Sequence, residues 1–111
     1  VMVRNGDATK KVVLLEFGWT IDPRPGSPYH WHAMTPEQQD KYLQQAYAYA
    51  EANWQPWIGV MSLIYIANPA WHMGMEETYW SIVYPFYPEF RPAPAYYGLL
   101  YMPKVSPVET D

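Results

Sequence analysis

The alternation of apolar and polar positions divides the chain into a few elements separated by proline-rich stretches. Lys10-Lys11 leads into Val12-Val13-Leu14-Leu15-Glu16-Phe17-Gly18-Trp19, whose β-branched and apolar run predicts a strand. Four consecutive apolar residues imply burial on both faces, the pattern of strands in parallel sheets. A period of two puts Val12, Leu14 and Glu16 on one face and Val13, Leu15 and Phe17 on the other. A carboxylate at the far end of such a strand is the exception to its pattern.

Thr35-Pro36-Glu37-Gln38 predicts a helix start. Thr35 caps, Pro36 suits the first helical position, and Gln38 completes a capping box. The helix is expected to reach about Asn53, with Leu43, Ala46, Tyr47, Ala50 and Trp54 on its packed face. Gln39, Asp40, Gln44, Gln45 and Glu51 cover much of the rest. Pro56 blocks continuation, and residues 57–66 read as a second buried strand. Two buried strands joined through an amphipathic helix predict a right-handed βαβ unit with parallel strands. Residues 67–78 form a second loop with Trp71 and His72, and residues 79–84 a short strand or turn. Residues 95–102 read as a short terminal helix. The strand edges left over call for more chain, either further strands or copies of the same molecule.

Composition narrows the classes open to this chain. Of its 111 residues, 18% are aromatic, with 6 Trp and 11 Tyr, more than ordinary core filling uses. The 12 Pro lie between the apolar runs, which predicts long ordered loops. A net charge of −4 with 16% charged residues leaves no basic stripe for nucleic acid. No apolar run approaches the roughly 18 residues of a membrane helix. With no Cys there is no disulfide or thiol chemistry. The chain opens on Val1 without a basic-then-apolar leader, and residues 105–111 read as a polar tail or linker. Both ends read as cuts in a longer protein.

Several motifs in order resemble a known group. Leu14-Leu15-Glu16-Phe17-Gly18-Trp19 looks like the seventh strand of clan-A (β/α)8-barrel glycoside hydrolases of the cellulase and β-glycosidase kind. Residues 42–54 look like the seventh helix and Trp57-Ile58-Gly59-Val60-Met61 like the eighth strand. Tyr79-Trp80-Ser81-Ile82-Val83 and Arg91-Pro92-Ala93-Pro94-Ala95-Tyr96 resemble the closing region before the eighth helix. The resemblance covers residues 1–104, and the specificity lies in the order of short motifs. It implies an α/β fold in which this chain forms the last two βα units of a TIM barrel. It also implies hydrolysis of O-glycosidic bonds in an oligo- or polysaccharide by a retaining mechanism.

In that mechanism one carboxylate attacks the anomeric carbon, and a second, roughly 5 Å away, protonates the leaving oxygen. The resemblance makes Glu16 the nucleophile and draws the acid/base from an earlier strand that this chain does not contain. The chain alone is therefore expected to be inactive. Trp19 and Trp71, each just beyond a strand end, either stack on a sugar ring or pack a loop. Tyr65 either fills the core or hydrogen-bonds substrate or Glu16. Where the family often has a Trp, this chain has Ile64-Tyr65-Ile66, so either Trp71 substitutes from the loop or the subsite differs. His30-Trp31-His32 lacks the further ligands of a metal site, and no cofactor motif is present. The partners expected are a carbohydrate and either the remainder of the barrel or further copies. The alternative function is a non-catalytic carbohydrate-binding or self-associating module.

Overall fold

The computed structural model describes residues 1–86, 88–89 and 91–104; the proposed tail at 105–111 lies outside them. Strand β1 spans Val12–Phe17, helix α1 Pro36–Trp54 and strand β2 Ile58–Leu63. A two-residue strand β3, Val83–Tyr84, and another, β4, Arg91–Pro92, precede helix α2, Pro94–Tyr101. Short 3-10 turns occur at Val3–Asn5, His30–His32 and Glu77–Trp80.

The start of α1 follows from its first residues. The Thr35 hydroxyl accepts the Gln38 backbone N–H at 3.2 Å, and the Gln38 side chain accepts the Thr35 N–H at 2.9 Å. Two otherwise orphaned donors are thereby satisfied reciprocally. Leu43 and Ala50 are buried as the helical spacing predicts, while Trp54 is exposed. Gln39, expected on the polar side, is fully buried. Its side-chain amide N–H donates to the Trp19 carbonyl at 2.8 Å, while its buried Oε1 has no hydrogen-bond partner among the described residues.

Strands β1 and β2 are parallel, with Val12 opposite Ile58, Leu14 opposite Met61 and Phe17 opposite Leu63, and the register shifts twice along the pair. A helix therefore does connect two parallel strands. The expectation that both strands are buried on both faces is corrected, because Val13 is 48% and Leu15 76% exposed. Among the described residues only β2 pairs with β1, so both outer edges of the pair are unpaired, and α1 reaches the sheet mainly at β2.

The reading of the chain as the last two βα units of a (β/α)8 barrel is also corrected. The described residues form two separate two-stranded sheets, and the second, β3 with β4, is antiparallel. The segment after β2 does not lead into a helix returning along the sheet. It crosses to the ribbon, and the eight-residue α2 packs mainly against α1. A barrel needs each strand to be followed by a helix lying over the same sheet. Here the second helix has no sheet of its own to cover. The small core gathers Leu43, Ile82, Val83 and Ala95, with Phe17, Trp19, Leu63, Tyr96 and Leu99 packed around it.

Candidate functional site

Glu16 is exposed one residue from the C-terminal end of β1. The chain there closes tightly on the end of β2. The Phe17 carbonyl accepts the Ile64 N–H at 2.9 Å. A Cβ on Gly18 would stand 2.9 Å from the Ile64 carbonyl oxygen, so only glycine permits this approach without a shift of backbone. Tyr65 follows directly, and its main chain is tied to the closing segment from both sides. Its N–H donates to the Trp80 carbonyl at 3.3 Å, and its carbonyl accepts the Ile82 N–H at 2.9 Å.

Tyr65 and Glu16 therefore lie at the same end of the parallel pair, with Tyr65 within reach of the Glu16 charge. Burial pushes the Tyr65 phenol above its usual pKa, and the negative charge of Glu16 pushes it further in the same direction. Glu76, Glu77 and Tyr29 add smaller effects of the same sign. The Trp71 ring meets the Tyr65 ring edge-on, with centroids 5.2 Å apart. An Asx turn at Asn68, whose side chain accepts the Ala70 N–H at 2.9 Å, sets the start of that loop.

Of the four residues expected to form a site, Tyr65 and Trp71 are in ring contact, and Glu16 lies within electrostatic reach of Tyr65. Trp19 stands apart. Its ring packs against Phe17 and Tyr42, with centroids 6.5 and 5.6 Å away, and it borders the core under α1.

Of the neighbouring residues, Glu76 and Tyr29 were not singled out in the sequence, and His32 and Trp80 were named there for other reasons. The Trp80 indole N–H donates to the Glu76 carboxylate, and the two lie four residues apart across a 3-10 turn. Tyr29 and His32 place their rings 5.3 and 5.6 Å from Trp80. The i, i+4 spacing of Glu76 and Trp80 was visible, but nothing local shows that residues 29–32 return to meet them.

The loop after β1 is also tied down by an ion pair in which Asp22 is buried and Arg24 partly exposed. Asp22 is fully buried and binds Arg24 through both its carboxylate oxygens, at 2.8 and 2.7 Å. These hydrogen bonds lower the Asp22 pKa to about 2, against the opposing effect of burial. Arg24 also donates to the Gly74 carbonyl at 2.8 Å and lies over the Tyr79 ring at 4.7 Å. One guanidinium thus joins the loop after β1 to the loop after β2.

Two apolar clefts lie away from Glu16. One of about 690 Å³ is bordered by Ile21, Met34, Met73, Tyr79 and Phe86, and one of about 620 Å³ by Trp19, Tyr42 and Tyr49. Among the described residues no group of three or more His, Asp or Glu side chains is placed to hold a metal ion, and no helix is long and apolar enough to cross a membrane.

No family model, no curated protein and no solved structure matches the chain.

Proposed function

We propose that the end of the sheet carrying Glu16 takes part in hydrolysing O-glycosidic bonds of an oligo- or polysaccharide, with Glu16 as the nucleophile of a retaining double displacement. One observation carries this reading. An exposed carboxylate at the C-terminal end of a parallel strand lies beside a tyrosine at the same end of the next strand, and a tryptophan stands against that tyrosine. Carboxylate, phenol and indole are the groups that attack an anomeric carbon, hydrogen-bond a sugar hydroxyl and stack on a pyranose face.

The steps follow from the chemistry of the groups. A Glu16 oxygen attacks the anomeric carbon as the bond to the leaving oxygen breaks, and a carboxylic acid gives that oxygen its proton. Water then attacks the same carbon, its proton passes to the conjugate base, and the bond to Glu16 breaks. The motif resemblance assigns the acid to none of this chain's carboxylates. On this reading another segment or chain supplies it, and the 111-residue chain alone turns nothing over.

The test is covalent trapping. A 2-fluoro-glycoside, whose intermediate hydrolyses slowly, should label Glu16 in the active protein, as read by peptide mass spectrometry. Glu16→Gln should abolish labelling and nearly all turnover while sugar binding persists. A label on another carboxylate overturns the assignment. Sugar binding with neither label nor turnover points instead to a non-catalytic carbohydrate-binding module.

A further inference from the structure

Strand β1 has one paired edge and one free one. Among the described residues its ladder partner is β2 alone. Val13 is 48% and Leu15 76% exposed. A row of unpaired N–H and C=O groups beside such side chains is a template for another strand. The outer side of β2 is a poorer one. Just beyond it the chain is already engaged, with the Tyr65 N–H on the Trp80 carbonyl, the Ile82 N–H on the Tyr65 carbonyl and a parallel bridge between Ile66 and Val83. Nor does β2, Ile-Gly-Val-Met-Ser-Leu, carry a charge that could select a partner.

Charge decides what fits β1. Lys10 and Lys11 stand immediately before the strand and Glu16 near its end, with only apolar residues between them. A second copy laid antiparallel sets lysine against glutamate at both ends, whereas a parallel copy sets like charges side by side. With Val13 opposite its own counterpart, Lys10 falls opposite Glu16, Val12 opposite Leu14 and Lys11 opposite Leu15. Each of these pairings then occurs twice, as a two-fold contact requires. Lys10 is paired with Asp7 within its own chain, but its side chain is 72% exposed, and a surface pair of this kind is weak enough to exchange. The accessible surface agrees with a contact of this size. At 7916 Å² it exceeds the roughly 6,300 Å² expected for the mass by more than the ~800 Å² that each partner gives to a standard interface.

We propose that two copies of this chain pair antiparallel through β1 about Val13, forming one four-stranded sheet in the order β2-β1-β1-β2. Lys10 of each copy then lies beside Glu16 of the other and favours its ionised form. The pairing does not rest on the glycosidic reading; only its consequence for Glu16 does.

The chain has no cysteine, so a single introduced thiol reports proximity without interference. Val13→Cys under mild oxidation should give a disulfide-linked dimer, because residues facing each other across antiparallel strands lie within disulfide reach. Val60→Cys, opposite Val13 on β2 and 52% exposed, should not, since both copies of β1 would stand between the thiols. Sedimentation of the parent chain should show a monomer–dimer equilibrium that weakens with added salt. Lys10→Glu and Glu16→Lys should each raise its dissociation constant roughly ten-fold, and the double exchange should restore most of the affinity. Circular dichroism separates loss of association from loss of folding.

A monomer at every concentration overturns the proposal. So does cross-linking of Val60→Cys as readily as Val13→Cys, which would mean that the sheets meet face to face. Charge reversals without effect, or a double exchange that restores nothing, would overturn the antiparallel register. Covalent trapping at Glu16 is a separate readout, so the pairing and the glycosidic reading can each fail without the other.

Discussion

Glu16 owes its place to a short stretch of backbone in which each residue has one task. Phe17 packs against Tyr47 of α1, Gly18 admits Ile64, and the carboxylate between the sheet and its end is left facing water. Asp22 and Arg24 do the opposite work, burying charge to fix a loop. Their effect on stability has a definite sign. The folded Asp22 carboxyl has a pKa of about 2, below its ordinary 3.8, so its contribution is complete above that ordinary value and is lost as pH falls through about 2. Urea unfolding followed from pH 5 downward should show this loss in the parent chain. Asp22→Asn should be less stable at neutral pH by about 1.5–3 kcal/mol, the scale of hydrogen bonds to a charged group, and should fall less steeply in acid. Parallel pH profiles for the two would mean that the pair does not anchor the loop. Nothing local in the sequence singled out this pair, because two charges among three prolines read as ordinary loop chemistry. Its importance comes from Gly74 and Tyr79, some fifty residues away.

At the scale of elements, local chemistry and long-range packing separate clearly. The N-terminus of α1 was legible to the residue because Thr35, Pro36 and Gln38 satisfy its donors among themselves. Both strands and their parallel pairing were legible from the apolar runs and the helix between them. The junction of β1 with the end of β2 was not legible, since it depends on how closely two distant backbones pass. It makes a measurable prediction. Gly18→Ala places a methyl group 2.9 Å from a backbone oxygen that cannot rotate away, so the strand ends must part. A loss of about 1–3 kcal/mol, the usual cost of overpacking, should appear in chemical denaturation. In the active protein the same change should weaken labelling of Glu16 by a trapped glycoside, because Tyr65 moves with Ile64. Unchanged stability would show that the approach is looser than these distances indicate.

The whole molecule is less consolidated than its composition suggested. Its radius of gyration is 16.4 Å, against roughly 13 Å for a compact domain of this length. Its accessible surface of 7916 Å² exceeds the roughly 6,300 Å² expected for its mass. Large apolar side chains are exposed, including Val13, Leu15, Val60 and Ile66 on or beside the parallel pair. An exposed strand edge with large aliphatic side chains favours association. Light scattering should therefore show a mass that rises with protein concentration, and Leu15→Lys should reduce that rise without unfolding the chain. A monomer at all concentrations would show that the edge is protected, for example by the register shift between Leu14 and Phe17.

The sequence by itself determined the features that depend on near neighbours: the two strands, the capped helix between them, a carboxylate at a strand end and the shortage of positive charge. It also carried the motif order that suggested a barrel, because motif order survives whether or not the elements close on one another. Only the tertiary structure decided against that closure, since which edges are paired depends on atoms far apart in the chain. Tertiary packing likewise set Trp19 against the core and Trp71 against Tyr65, and left Trp31 exposed beside His32. Tryptophans were divided between packed and exposed positions by their surroundings, and those surroundings are properties of the fold.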